Sequence, residues 1–113
     1  VKRGVDCCIF QNMHELLTAE ERKAIAKLSV PVSTCEEKRI RMVRACQILD
    51  TAVDDMQYNT TTSLAIRKLK MKTCSFNIID INRLWLKSKQ NVAESEFDRR
   101  YTVCTHVILD DAP

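Results

Sequence analysis

Apolar residues recur along this chain mostly at intervals of three and four, the spacing that lines one face of an α-helix. Ile9, Phe10, Met13, Leu16 and Leu17 form one such stripe, predicting a first helix from Cys7 to about Leu17 with Asp6 as its cap. Thr18-Ala-Glu-Glu21 then has the capping-box form, so a second short helix is expected to about Leu28, with Ala24, Ile25 and Leu28 inward. Pro31 stops it, because the residue before a proline disfavours the helical region. Ser33 and Thr34 precede Glu36 and Glu37, a second capping signal. Beyond them Cys35, Met42, Cys46, Leu49, Val53 and Met56 fall on one face, predicting a long central helix over about 34–57. Tyr58 to Ser63 reads as a polar break. Three more helices are expected at about 62–74, 77–89 (on Ile78, Ile81, Leu84 and Trp85) and 93–109 (on Phe97, Tyr101, Cys104 and Ile108), with the stretch from Lys87 to Asn91 as a connection.

Composition points the same way. The 113 residues include one glycine and two prolines, few of the turn-formers that an all-β chain needs repeatedly. Leu, Ala, Lys, Arg, Glu and Met, which lose least on entering a helix, are abundant. The expected fold is therefore all-α: a single domain over 1–113, a bundle of about five or six helices around the central one.

The six cysteines, Cys7, Cys8, Cys35, Cys46, Cys74 and Cys104, change the picture from a bundle to a stapled bundle. The number is even and no Cys-x-x-Cys pair occurs. His14 and His106 stand apart from them, so structural zinc has little support and a disulfide framework in an oxidising compartment is expected. Cys35 and Cys46 share one helix about 16 Å apart at 1.5 Å per residue, too far to bridge. A vicinal Cys7–Cys8 bridge would strain the backbone. About ten of the fifteen possible connectivities survive these exclusions. A start at Val1 suits a mature secreted form, and Asn59-Thr60-Thr61 is a glycosylation sequon. No run of about 20 apolar residues is present, so membrane insertion is not expected.

Catalysis finds no constellation. Cys7-Cys8 followed by His14 invites comparison with secreted phospholipases, but there is no glycine-rich calcium loop and Glu15, not Asp, follows the histidine. His14-Glu15 also lacks the second histidine of a zinc-protease motif, and one glycine excludes phosphate loops and nucleophile elbows. The acidic pairs at 20–21 and 36–37 sit in first helical turns, where the dipole favours them. Arg67, Lys68, Lys70 and Lys72 form the densest charge feature, a solvated helix face or a face for a heparin-like polyanion, an anionic membrane or an acidic protein. With a net charge of +3 and few aromatics, nucleic acid is not the expected partner. Trp85 is expected in the core. No cofactor is expected.

Two family resemblances follow. Cys46 within Arg44-Ala45-Cys46-Gln47-Ile48-Leu49, and the basic helix Ser63-Leu64-Ala65-Ile66-Arg67-Lys68-Leu69-Lys70, are similar to features of short-chain four-helix cytokines of the interleukin-4, -13 and -21 group. Those have long first and last helices, whereas here the first 28 residues are split at Thr18. A small basic chain with Cys7-Cys8 near its start and cysteines dispersed along expected helices resembles the anophensin and albicin family of anopheline mosquito salivary proteins. That resemblance implies a secreted inhibitor that binds an extracellular host protein complex, of the complement alternative pathway or the contact (kallikrein–kinin) system. The cytokine resemblance implies a receptor ligand. Both imply binding, not catalysis.

Overall fold

The computed structural model describes residues 16–109. It is not an all-α bundle. Helices α1 (Ala19–Ala26), α2 (Glu36–Ala45) and α3 (Met56–Leu69) precede strands β1 (Cys74–Ile79), β2 (Arg83–Gln90) and β3 (Glu96–Asp98). A 3-10 turn (Arg99–Tyr101) and the short α4 (Cys104–Val107) follow. The strands form one antiparallel sheet in the order β1-β2-β3, and α3 packs across β1 and β2. The expected first helix, with Cys7, Cys8 and His14, lies outside the described residues.

Local signals at the first described helix act as expected. Thr18 caps α1: its Oγ1 accepts from the Glu21 amide at 3.2 Å, and its own amide donates to Glu21 Oε2 at 2.7 Å. The expected central helix does not run through. It ends at Cys46, where Gln47 takes φ 50° and Asp50 φ 58°, and α3 restarts with Asp55 as its cap. The face expected to be buried is outward: Met42, Val53 and Met56 are all exposed. α2 instead buries Glu36, Ile40 and Ala45. The supposed polar break is interior to α3, where the Thr61 hydroxyl donates back to the carbonyl of Gln57.

The largest correction concerns residues 74–98. Ile78 pairs with Trp85 and Ile79 with Leu84 across β1 and β2, which turn through Asp80, Ile81 and Asn82. Every residue from Leu84 to Ser88 is buried, because β2 is central and covered on both faces. A strand of that kind has no apolar–polar alternation, and its continuous run is open to a helical reading. The scarcity of glycine did not prevent turns either. Gln47, Asp50, Lys70 and Asn91 take the left-handed conformation in its place, Lys70 closing α3 and Asn91 leaving β2. The expected last helix is β3, a 3-10 turn and one helical turn, and Tyr101, expected inward, is 82% exposed.

Two small apolar clusters result. Leu17, Ile40 and Ile81 pack together with Ile25 against them; Ile79, Leu84 and Leu86 pack with Val92, Cys104 and Ile108. Trp85 is buried, as expected. No disulfide joins the described cysteines. Cys35 and Cys46 bracket α2 and are exposed, Cys74 opens β1, Cys104 opens α4, and all four are free thiols. Among the described residues the expected stapled bundle therefore gives way to an α+β arrangement without a disulfide.

Candidate functional site

A cavity of about 500 Å³ opens between α2, the 47–55 connection, α3 and the sheet. Met42, Val43, Cys46, Ile48, Tyr58 and Ile78 supply its apolar wall. A second, of about 440 Å³, lies on the other side of Val43 and Ile78 and is lined by Phe76, Ile79, Cys104, Val107 and Ile108 among others. The two share Val43 and Ile78, so the gap between α2 and β1 is open on both sides of that pair. Arg39 spans one end, donating to the carbonyl of Ile79.

The polar group of the larger cavity is Lys87, 4% exposed although lysine is seldom buried unpaired. Its ammonium donates to Thr51 Oγ1 at 2.9 Å and to the Ala52 carbonyl at 2.6 Å. It also lies 3.6 Å from Asp55 Oδ2 and 5.4 Å from the centre of the Tyr58 ring. Asp55 thus serves two elements, since its other oxygen accepts from the Gln57 amide at the start of α3. Tyr58 in turn meets Phe76 edge-on at 4.9 Å. Lysine has three N–H donors, and carbonyl, hydroxyl, carboxylate and ring surround this one. Lys87 ties the 47–55 connection to the sheet, with two of its donors bonded there and its charge offset by Asp55. Nothing in the arrangement offers an activated nucleophile beside a base. Among the described residues no group of three or more His, Cys, Asp or Glu could hold a metal ion.

Sequence reasoning missed Lys87, Thr51, Asp55 and Tyr58, having placed Lys87 in a polar connection and Tyr58 at a break. No apolar–polar alternation marks Leu84 to Ser88, because both faces of β2 are buried, so the sequence carried no signal for an inward Lys87.

The other sequence candidates are scattered. Arg67 and Lys68 sit in the last turn of α3, Lys70 is its left-handed cap and Lys72 follows; all four are exposed. Cys46 lines the larger cavity and Cys104 the smaller, where the Cys104 sulfur accepts from Asn77 Nδ2 at 3.7 Å. Cys35 and Cys74 line neither. His106 is exposed on α4. Asn59 is not a free sequon. Its Nδ2 donates to the Val53 carbonyl at 3.1 Å and its Oδ1 accepts from Ser88 at 2.6 Å, so a glycan on Nδ2 would crowd the bond that holds the 47–55 connection to α3.

Among the described residues no helix is long and apolar enough to cross a membrane. In comparisons with known proteins no family model matches the chain, and no similar curated protein or solved structure was found.

Proposed function

We propose that this domain is a non-catalytic binding module that takes apolar side chains of a partner protein into the gap between α2 and β1. The observation carrying the proposal is the character of the gap. Its walls are mostly apolar, and its one buried charge, Lys87, has two donors bonded to the domain's own atoms and its charge offset by Asp55. Such a site favours an apolar insert over an anion or a reacting polar group, and the residues around it would exclude water from that insert. Half-exposed Met42, at the rim, adds an adaptable contact surface.

With the described cysteines as thiols, cysteine number no longer implies an oxidising compartment. The all-helical character expected of the salivary proteins is not that of this fold. The first partners to test remain the complement alternative-pathway convertase and the contact-system proteins. Unchanged erythrocyte lysis and unchanged contact-activated clotting at micromolar protein would remove both.

The binding class itself is tested with a displayed random-peptide library screened on the intact protein. Selected peptides should be rich in Leu, Ile, Phe or Met and should bind Val43→Arg at least about tenfold more weakly, since that side chain fills both sides of the gap. Peptides that bind Val43→Arg as well as the native protein would sink the reading. An unchanged melting temperature for Val43→Arg is the control for folding.

A further inference from the structure

Beyond the gap, one surface segment holds its place through its backbone while its side chains face solvent. Every residue from Arg67 to Thr73, where α3 ends and the chain turns into β1, is exposed. Within this exposed tip Leu69 is 69% and Met71 57% exposed, between Lys68, Lys70 and Lys72. Among the described residues no ion pair involves Arg67, Lys68, Lys70 or Lys72. The sequence from Met56 to Ile79 contains no Asp or Glu. Asp54 and Arg67 line one cavity without forming an ion pair.

The helix dipole accounts for part of this. Arg67 and Lys68 lie in the last turn of α3, where cations offset the partial negative charge of the carbonyls. It accounts for neither Lys72 beyond the helix nor the two large apolar side chains held in water. Lys70 closes the helix in the left-handed conformation, and the Met71 amide reaches back to the Ile66 carbonyl at 3.3 Å. In that closing motif the residue after the left-handed one commonly packs its apolar side chain back on the helix. Here Met71 remains mostly exposed.

We propose that this tip is a docking surface for an anionic lipid bilayer, with Leu69 and Met71 entering the headgroup region and Arg67, Lys68, Lys70 and Lys72 meeting lipid phosphates and carboxylates. A linear polyanion would match the four cations but would leave Leu69 and Met71 in water. A bilayer surface matches both, because interfacial binding combines apolar burial with attraction to anionic lipid. The contact is peripheral and shallow.

The test is co-sedimentation of the intact protein with phosphatidylcholine vesicles containing about 30% phosphatidylserine, and with pure phosphatidylcholine vesicles. Binding should be confined to the anionic vesicles. Each cation near such a surface is worth roughly fivefold in partitioning, so Lys68→Glu with Lys70→Glu should lower it on the order of a hundredfold. Leu69→Ser with Met71→Ser should lower it about tenfold or more while leaving retention on heparin unchanged. Absence of binding to the anionic vesicles would overturn the proposal, whether or not heparin retains the protein. So would undiminished binding of the Leu69/Met71 variant, which would return the tip to purely electrostatic contact. All four positions are exposed, and equal melting temperatures would exclude misfolding as the cause of any loss.

Discussion

Two buried polar regions tie helices to the sheet, and they do so by opposite means. One is charged. Glu36, on α2, receives Arg39 at 2.7 Å, and the fully buried Arg99 pairs with the same carboxylate oxygen. Arg99 Nη1 also donates to the carbonyls of Asp80 (3.3 Å) and Ile81 (3.2 Å), locking α2, the β1–β2 turn and the 3-10 segment together. The Arg99 carbonyl is in turn held by the Thr105 hydroxyl. The other region is neutral and joins α3 to β2. Gln90 Nε2 donates to Thr62 Oγ1 (3.1 Å), Thr62 and Ser88 hydroxyls lie 2.8 Å apart, and Ser88 donates to Asn59 Oδ1. Each hydroxyl has one proton, so the assignment that satisfies all of them runs Gln90 to Thr62 to Ser88 to Asn59.

The difference lies in what is left unmet. The neutral chain places its protons. The charged region leaves Arg99 Nε and Nη2 buried without a partner among the described residues, where Arg39 and Arg99 share the one carboxylate of Glu36. A charge held this way depends on its counter-ion far more than a hydroxyl depends on its neighbour.

Removing the counter-ion should therefore have the largest effect. Glu36→Ala should cost about 3–5 kcal/mol in urea unfolding, because Arg99 is then buried uncompensated. Replacing both members, Glu36→Leu with Arg99→Met, should cost clearly less than Glu36→Ala alone. A double variant as unstable as the single one would show that the region matters for packing and not for charge balance.

The two regions should also separate by pH. Burial pushes the Glu36 carboxyl up, but hydrogen bonds and charge from Arg39 and Arg99 outweigh it and hold the pKa below its ordinary 4.5. The folded state therefore binds fewer protons there than the unfolded chain. The stability Glu36 contributes is complete above its ordinary pKa and is lost as pH falls through the folded value. Urea midpoints measured from pH 7 downward should fall less steeply in that acid range for Glu36→Gln than for the native protein, and equal slopes would refute the assignment. Asp98, exposed and held to about 2 by Arg100, titrates in both proteins and cancels in the difference.

On the neutral side Ser88→Ala should cost about 1–3 kcal/mol, since it strands Asn59 Oδ1 and interrupts the chain. Its cost should be independent of pH between 4 and 8. Combining it with Thr62→Val should give a loss smaller than the sum of the two single losses, by about 0.5–3 kcal/mol, as expected of members of one network. Strict additivity would mean that the two hydroxyls act separately. The smallest effect belongs to neither region: Thr18→Ala should cost about 1 kcal/mol through the cap of α1, readable as a small shift in the same urea curves.

What could be read from the sequence alone was what depends on neighbours a few residues apart. The capping box at Thr18 and Glu21 follows from local backbone chemistry. The burial of Trp85 follows from its size and apolarity. The sheet did not follow, because β2 is buried on both faces and so lost the alternation that marks a strand. The burial of Glu36 and Lys87 did not follow either, since a charged residue faces inward only when distant residues meet it: Arg99 sixty-three positions along for one, Thr51 and Ala52 for the other. The cysteines show the same division. Their number and spacing were visible, but whether any two approach within bonding distance is a property of how the chain is packed, and in the described residues none do.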